Sequence, residues 1–231
     1  MTGRSQIAMC TTRWRAVRLL CSLVVLSSLT GCVRVLAIGA KVLIGDPKME
    51  STFQQRTGIE LQDGEHKVAV VIDAPHRVAY DFDTLVPDLQ ERLLQQMRRN
   101  GIEVVDPDEV TSVLENAGGD FSPTHLAQKI DADCILHVQI EAFTDAQSGN
   151  PSLLQSHSHG VVTGYEVRGE FGAAGRHVVE VYEESFQSSY PSGHPLAAEQ
   201  TPRLKFQQRC INDLADEIGR QCYDVTTAEL Y

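Results

Sequence analysis

The spacing of apolar positions changes several times along the chain, and each change marks an element. Residues 67–75 (KVAVVIDAP) form a continuous apolar run closed by proline, which predicts a strand covered on both faces. Over 81–100 the period lengthens. Phe82, Leu85, Leu89, Leu93 and Met97 fall at steps of three or four and draw one apolar stripe on a helix. Thr84 as N-cap keeps Pro87 in the first turn, where backbone donors are unpaired, and Asn100-Gly101 closes the helix. Residues 102–105 make a short second strand. Asp106-Pro107-Asp108-Glu109 then opens a helix that runs to about Ala117, with a cap, a proline at the first position and acids facing the dipole. Ser122-Pro123 starts a shorter helix through Lys129.

From Cys134 to Phe143 the period drops to two. Leu136, Val138, Ile140 and Ala142 alternate with His137, Gln139 and Glu141, so this third strand has one wetter face. Residues 145–160 are polar and turn-rich and read as a long loop. Residues 161–171 and 176–190 read as strands joined at Gly172-Ala173-Ala174-Gly175, a hairpin signal. After a second loop over 191–201, Thr201-Pro202 opens the last helix, with Leu204, Ile211, Leu214, Ala215, Ile218 and Cys222 on one face. The order β-α-β-α-α-β-β-β-α predicts one α+β domain with an α/β-like start: a mixed sheet of about five strands with helices packed mainly on one face.

The N-terminus follows different rules. Arg4, Arg13, Arg15 and Arg18 are its only charges before an apolar run at 19–29, which Leu29-Thr30-Gly31-Cys32 follows. A basic segment, a short apolar segment and small residues before a cut describe a secretory signal peptide. Eleven apolar residues are too few to span a bilayer, which takes about 20, and Arg34 and Lys41 interrupt the next run at 33–45. Removing those four cations from the 20 basic residues leaves 16 against 31 acidic ones, a mature net charge of −15. So acidic a surface repels nucleic acid and anionic headgroups, which excludes nucleic acid as a partner and calls for another means of staying at a membrane. The domain organisation expected is a signal over 1–31, a tether and approach segment over 32–66, and a single domain over 67–231.

Leu29, Thr30, Gly31 and Cys32 resemble the lipobox of bacterial lipoproteins. That resemblance implies cleavage before Cys32, acylation of its sulfur with palmitate-type chains, and lipid anchorage facing the periplasm. Several acyl chains hold a protein stably where one does so marginally. Val33, where an Asp would retain lipoproteins at the inner membrane, implies the outer membrane by the same analogy. Cys134, Cys210 and Cys222 remain in the mature chain. Cys210 and Cys222, about 18 Å apart along one helix, cannot pair, Cys134 could pair with either, and three buried thiols is the reading preferred.

Val68–Ile72, then 101–110 (GIEVVDPDEV) and 126–140 (LAQKIDADCILHVQI) resemble the α/β core shared by the TolB N-terminal domain, the penicillin-binding-protein activator lipoproteins and the curli secretion lipoproteins. The resemblance spans roughly 67–220 by element order and implies a binding or assembly role. No propeller repeats follow, unlike TolB. Glu166, Arg168, Glu170, Glu180, Glu183 and Glu184 crowd the 161–190 hairpin, unlike a lipid-facing strand of a secretion channel.

Catalytic signatures are few. The chain has no Gly-rich phosphate cradle and no G-x-S-x-G elbow. His157 and His159 are the candidate metal ligands, with His194 and Glu199 as possible additions, but two histidines fall short of the three or four ligands zinc needs. A solvated loop is the preferred reading and no cofactor is expected. Asp73, Asp81 and Asp83 lie near the C-terminal end of the first strand, where open sheets place ligands, and a solvated turn is preferred there over a carboxylate-pair hydrolase. The function expected is a membrane-anchored, non-enzymatic envelope lipoprotein that binds membrane lipid through Cys32 and an envelope protein through its domain. The alternatives are a subunit of an outer-membrane secretion or transport assembly, and a metal-binding or hydrolytic protein using the His157/His159 loop.

Overall fold

A computed structural model describes residues 48–145, 150, 152–173 and 175–226. Residues 29–32, whose pattern resembles a lipobox, lie outside the described residues. The chain divides into two compact units. Residues 49–225 form one, and Lys48 and Thr226 are the described residues of the other.

In chain order the elements are β1 (Lys48–Met49), α1 (Thr52–Thr57), β2 (Lys67–Asp73), α2 (His76–Asp81), α3 (Leu85–Arg99), β3 (Glu103–Val104), α4 (Pro107–Asn116), α5 (Pro123–Lys129), β4 (Cys134–Thr144), β5 (Leu153–Leu154), β6 (Ser156–Arg168), β7 (His177–Tyr190), β8 (Leu196–Ala197), α6 (Arg203–Gly219) and β9 (Val225–Thr226). The main sheet has the order β3-β2-β4-β6-β7. The β2 pairings are parallel, and those of β4 with β6 and β6 with β7 are antiparallel. This is the mixed five-stranded α+β sheet that the hydrophobic pattern predicts.

The sheet separates two apolar layers. On one face Val68, Val70, Leu136 and Val138 meet α3 through Leu89, Leu93 and Met97, and α6 through Phe206, Cys210, Leu214 and Ile218. On the other, Ala69, Val71 and Ile135 lie under Val110 of α4 and Leu126 of α5, a smaller cluster. Two of the expected caps form, while Thr84 makes no capping side-chain bond and the last helix starts at Arg203 with Pro202, not Thr201, at the cap position. The Asp106 carboxylate accepts from the Asp108 amide at 3.0 Å, and the Ser122 hydroxyl accepts from the His125 amide at 3.4 Å.

Four sequence expectations need correction. The domain begins before 67: Phe53 of α1 is fully buried, its ring 5.0 Å from that of Tyr182, and the Phe53 amide donates to the Gln221 carbonyl at 2.9 Å. One apolar residue in a polar hexamer shows no period, so it left no signal. The helix expected over 81–100 starts only at Leu85, and a separate short helix, α2, precedes it and ends at Asp81; between them Phe82 leaves helical geometry (φ −137°, ψ 69°) and turns its ring onto Phe143 at 4.8 Å. The loop expected over 145–160 holds the first five residues of β6. Ser156 and Ser158 point inward and are buried while His157 and His159 point outward, so the period-two pattern is present but its inner positions are small and polar. Finally, Leu204 is 69% exposed. Phe206 anchors the start of α6 instead, and Cys222 lies beyond the helix end.

Two glycines on β6 make room for aromatic rings. A Cβ at Gly164 would come 2.6 Å from the Phe53 ring, and one at Gly160 would run into the Gln139 carbonyl oxygen and the Phe186 ring. On β4 the register shifts between Ile140 and Ala142. That shift exchanges faces, so Phe143 is buried rather than Ala142.

Candidate functional site

From β2 the chain passes through α3, on one face, to β3. It returns through α4 and α5, on the other face, to β4 on the opposite side of β2. Connections that leave neighbouring parallel strands in opposite directions open a crevice at the strands' C-terminal ends, where ligands of open sheets sit. Here Asp73, Ala74 and Pro75 face Gln139, Ile140 and Glu141 across an open space of about 550 Å³. Beside it, sharing Pro75 and Glu141, a groove of about 470 Å³ runs between α2 and the end of β4. Val78, Phe82, Ala142 and Phe143 supply its apolar surface, and Arg77, Asp81, Glu141 and Asp145 its charges.

Behind the crevice, His137 is 5% exposed, and its Nε2 lies 2.6 Å from the Asp73 carboxylate. The Phe121 ring covers the imidazole, centroid to centroid at 3.9 Å. The Asp73 side chain is about half exposed. With Nε2 engaged by Asp73 and the ring covered by Phe121, His137 orients the carboxylate. No hydroxyl or thiol hydrogen-bonds to His137 among the described residues. Sequence reading placed His137 on the wetter face of its strand and missed the pair. The register Val71↔His137 puts Asp73 diagonal to His137 on the same face, which is information about pairing.

The sequence candidates are scattered. Asp73 lines the crevice, Asp81 the groove, and Asp83 is exposed outside both; no hydrogen bond joins them among the described residues. His157 Nδ1 lies 2.8 Å from the Ser189 hydroxyl, and His159 Nε2 lies 3.7 Å from Glu141. Both sit on strand β6 rather than in a loop. No group of three or more His, Cys, Asp or Glu side chains able to hold a metal forms among the described residues, with or without His194 and Glu199. At the groove wall Asp145, 7% exposed at its side chain, accepts from Arg203 Nη2 at 2.7 Å and from Nε at 3.2 Å. Glu180 and Glu183 are exposed, and Glu184 pairs with Arg56. Cys134, Cys210 and Cys222 are free and buried, and burial pushes each thiol up to about 12. That leaves them protonated and unreactive at neutral pH.

No protein-family model matches this chain, and no curated protein matches it. Among solved structures it is similar to the PelC dodecamer from Paraburkholderia phytofirmans, at 8% identity and a TM-score of 0.39, covering 77% of this chain and 96% of that one. It is also similar to a lipoprotein from Neisseria meningitidis, at 12% identity and a TM-score of 0.38, covering 66% of this chain and 97% of that one. A minor lipoprotein from Acinetobacter baumannii matches at 18% identity and a TM-score of 0.29, covering 70% and 96%. Superpositions this loose say nothing about activity or partner. The resemblance to TolB, the penicillin-binding-protein activators and the curli group rests on element order alone.

Proposed function

We propose that the chain is a membrane-anchored, non-enzymatic binding module of the cell envelope that acts by positioning. The observation that carries this reading is the lipobox ending at Cys32, set ahead of an acidic domain that would not hold to an anionic surface by charge. No helix among the described residues is long and apolar enough to cross a membrane. In this reading lipid on Cys32 supplies the attachment. Confinement to a surface raises the domain's effective concentration near partners there. Val33 after the anchoring cysteine favours the outer membrane, and the domain faces the periplasm.

The test is intact mass together with membrane fractionation of the expressed chain, wild type beside Cys32→Ala. A mass beginning at residue 32 plus acyl chains, with membrane association lost in the variant, is the expected result. An unprocessed or unacylated wild-type chain overturns the reading.

A further inference from the structure

We infer that the groove between α2 and the end of β4 docks a peptide segment of a partner protein, an apolar side chain flanked by Lys or Arg. This deepens the binding-module reading and rests on it.

The groove has an apolar floor. Phe82 and Phe143 meet edge to face there at 4.8 Å, with Val78 and Pro75 beside them. Two of the large apolar side chains that the fold leaves exposed stand at the same end of the domain. Tyr80, on α2, is 88% exposed. Leu204, 69% exposed, follows Arg203, whose guanidinium holds Asp145 in the groove wall. An anchor side chain can therefore bury apolar area on this floor.

Charge selects the flanking residues. Asp73, Asp81 and Glu141 rim the crevice and groove, and the charge of Arg203 is taken up by Asp145. Arg77 is the only cation among the described residues lining the groove, and His159 stands near Glu141. The excess is negative, so complementary segments carry cations.

Charge argues against an anionic lipid surface as occupant: Asp81 and Glu141 at the groove repel anionic headgroups.

The experiment uses the full acylated chain in a neutral detergent and two labelled hexapeptides, Gly-Lys-Leu-Phe-Lys-Gly and Gly-Glu-Leu-Phe-Glu-Gly, read by fluorescence anisotropy. The lysine peptide is expected to saturate below millimolar concentration and to weaken as salt rises, whereas the glutamate peptide does not bind. Asp81→Asn with Glu141→Gln is expected to weaken it about fivefold. Glu183→Gln, on the far edge of the sheet, leaves it unchanged. Equal binding of the two peptides, unchanged affinity in the double variant, or no saturation overturns the inference. So does sedimentation of the Cys32→Ala chain with anionic vesicles, if Asp81→Asn and Glu141→Gln alter it, since that makes the groove a lipid site. Each of these results leaves the mass and fractionation result for Cys32 standing, so the two readings fail separately.

Discussion

At the scale of single residues, burial decides what each polar group does. His137 is enclosed by Phe121 and hydrogen-bonded to a half-exposed Asp73. His137→Ala is expected to cost about 2–3 kcal/mol, from a lost ring and an emptied space. Asp73→Asn, which keeps an acceptor near water, costs less than about 1 kcal/mol. Urea midpoints distinguish these outcomes, and equal losses would refute the view that His137 acts as support for Asp73. Burial raises the carboxyl of Asp216 above its ordinary value, against the opposing pull of Arg220 and of the hydrogen bond from Gln96. The folded chain thus holds this proton more tightly than the unfolded one. Its favourable contribution is complete below the unfolded carboxylate range and is lost as pH rises through the folded value. Asp216→Asn should therefore raise the urea midpoint at pH 7, with the gain vanishing near ~pH 4. The sequence supplied Asp216 as a helical residue, but its environment comes from Gln96, 120 positions away.

At the scale of elements, strongly periodic or capped segments were legible and the rest were not. Strand β2, helix α5 and the capped start of α4 stand where their patterns predict, because a continuous apolar run or a Ser-Pro or Asp-Pro start is local information. Helix α1 was missed because its one core residue, Phe53, finds its seat between Gly164 and Tyr182 on distant strands. Phe53→Ala is expected to destabilise the domain by about 3–5 kcal/mol, measured by denaturant unfolding. A loss under about 1 kcal/mol would mean that α1 is an appendage rather than part of the core. The first residues of β6 were missed for a related reason. The inward hydroxyls of Ser156 and Ser158 sit opposite β7, where Ser188 donates to Asp213 of α6 at 2.7 Å, and hydrophobicity does not register such packing.

At the scale of the whole molecule, the sheet ends unequally. One edge is β3, two residues long; the other is β7, fourteen. A long open edge invites strand pairing between copies. On β7, Glu180 and Glu183 are exposed, Arg56 donates to the Glu183 carbonyl at 3.1 Å, and pairing two copies there would bring carboxylates together. A monodisperse monomer is therefore expected by light scattering in detergent, and replacing Glu180 and Glu183 with Thr should shift it toward dimers. A ring-sized, heat-sensitive oligomer of the wild-type chain would instead support a role as a subunit of a secretion assembly.

The sequence by itself determined the features that depend on neighbours along the chain. These are the charge asymmetry of the N-terminus and the Leu29–Cys32 pattern that resembles a lipobox, the order of the main elements, the caps of α4 and α5, and the α+β class that follows from strands first alternating with helices and then running together. Tertiary structure alone decided which residues share a site. The diagonal of Asp73 and His137, the edge-to-face contact of Phe82 with Phe143 and the clasp of Arg203 on Asp145 join residues 64, 61 and 58 positions apart. Periodicity reports the face a residue occupies, not the strand that will lie beside it, so the crevice and its groove became visible only once β4 lay against β2.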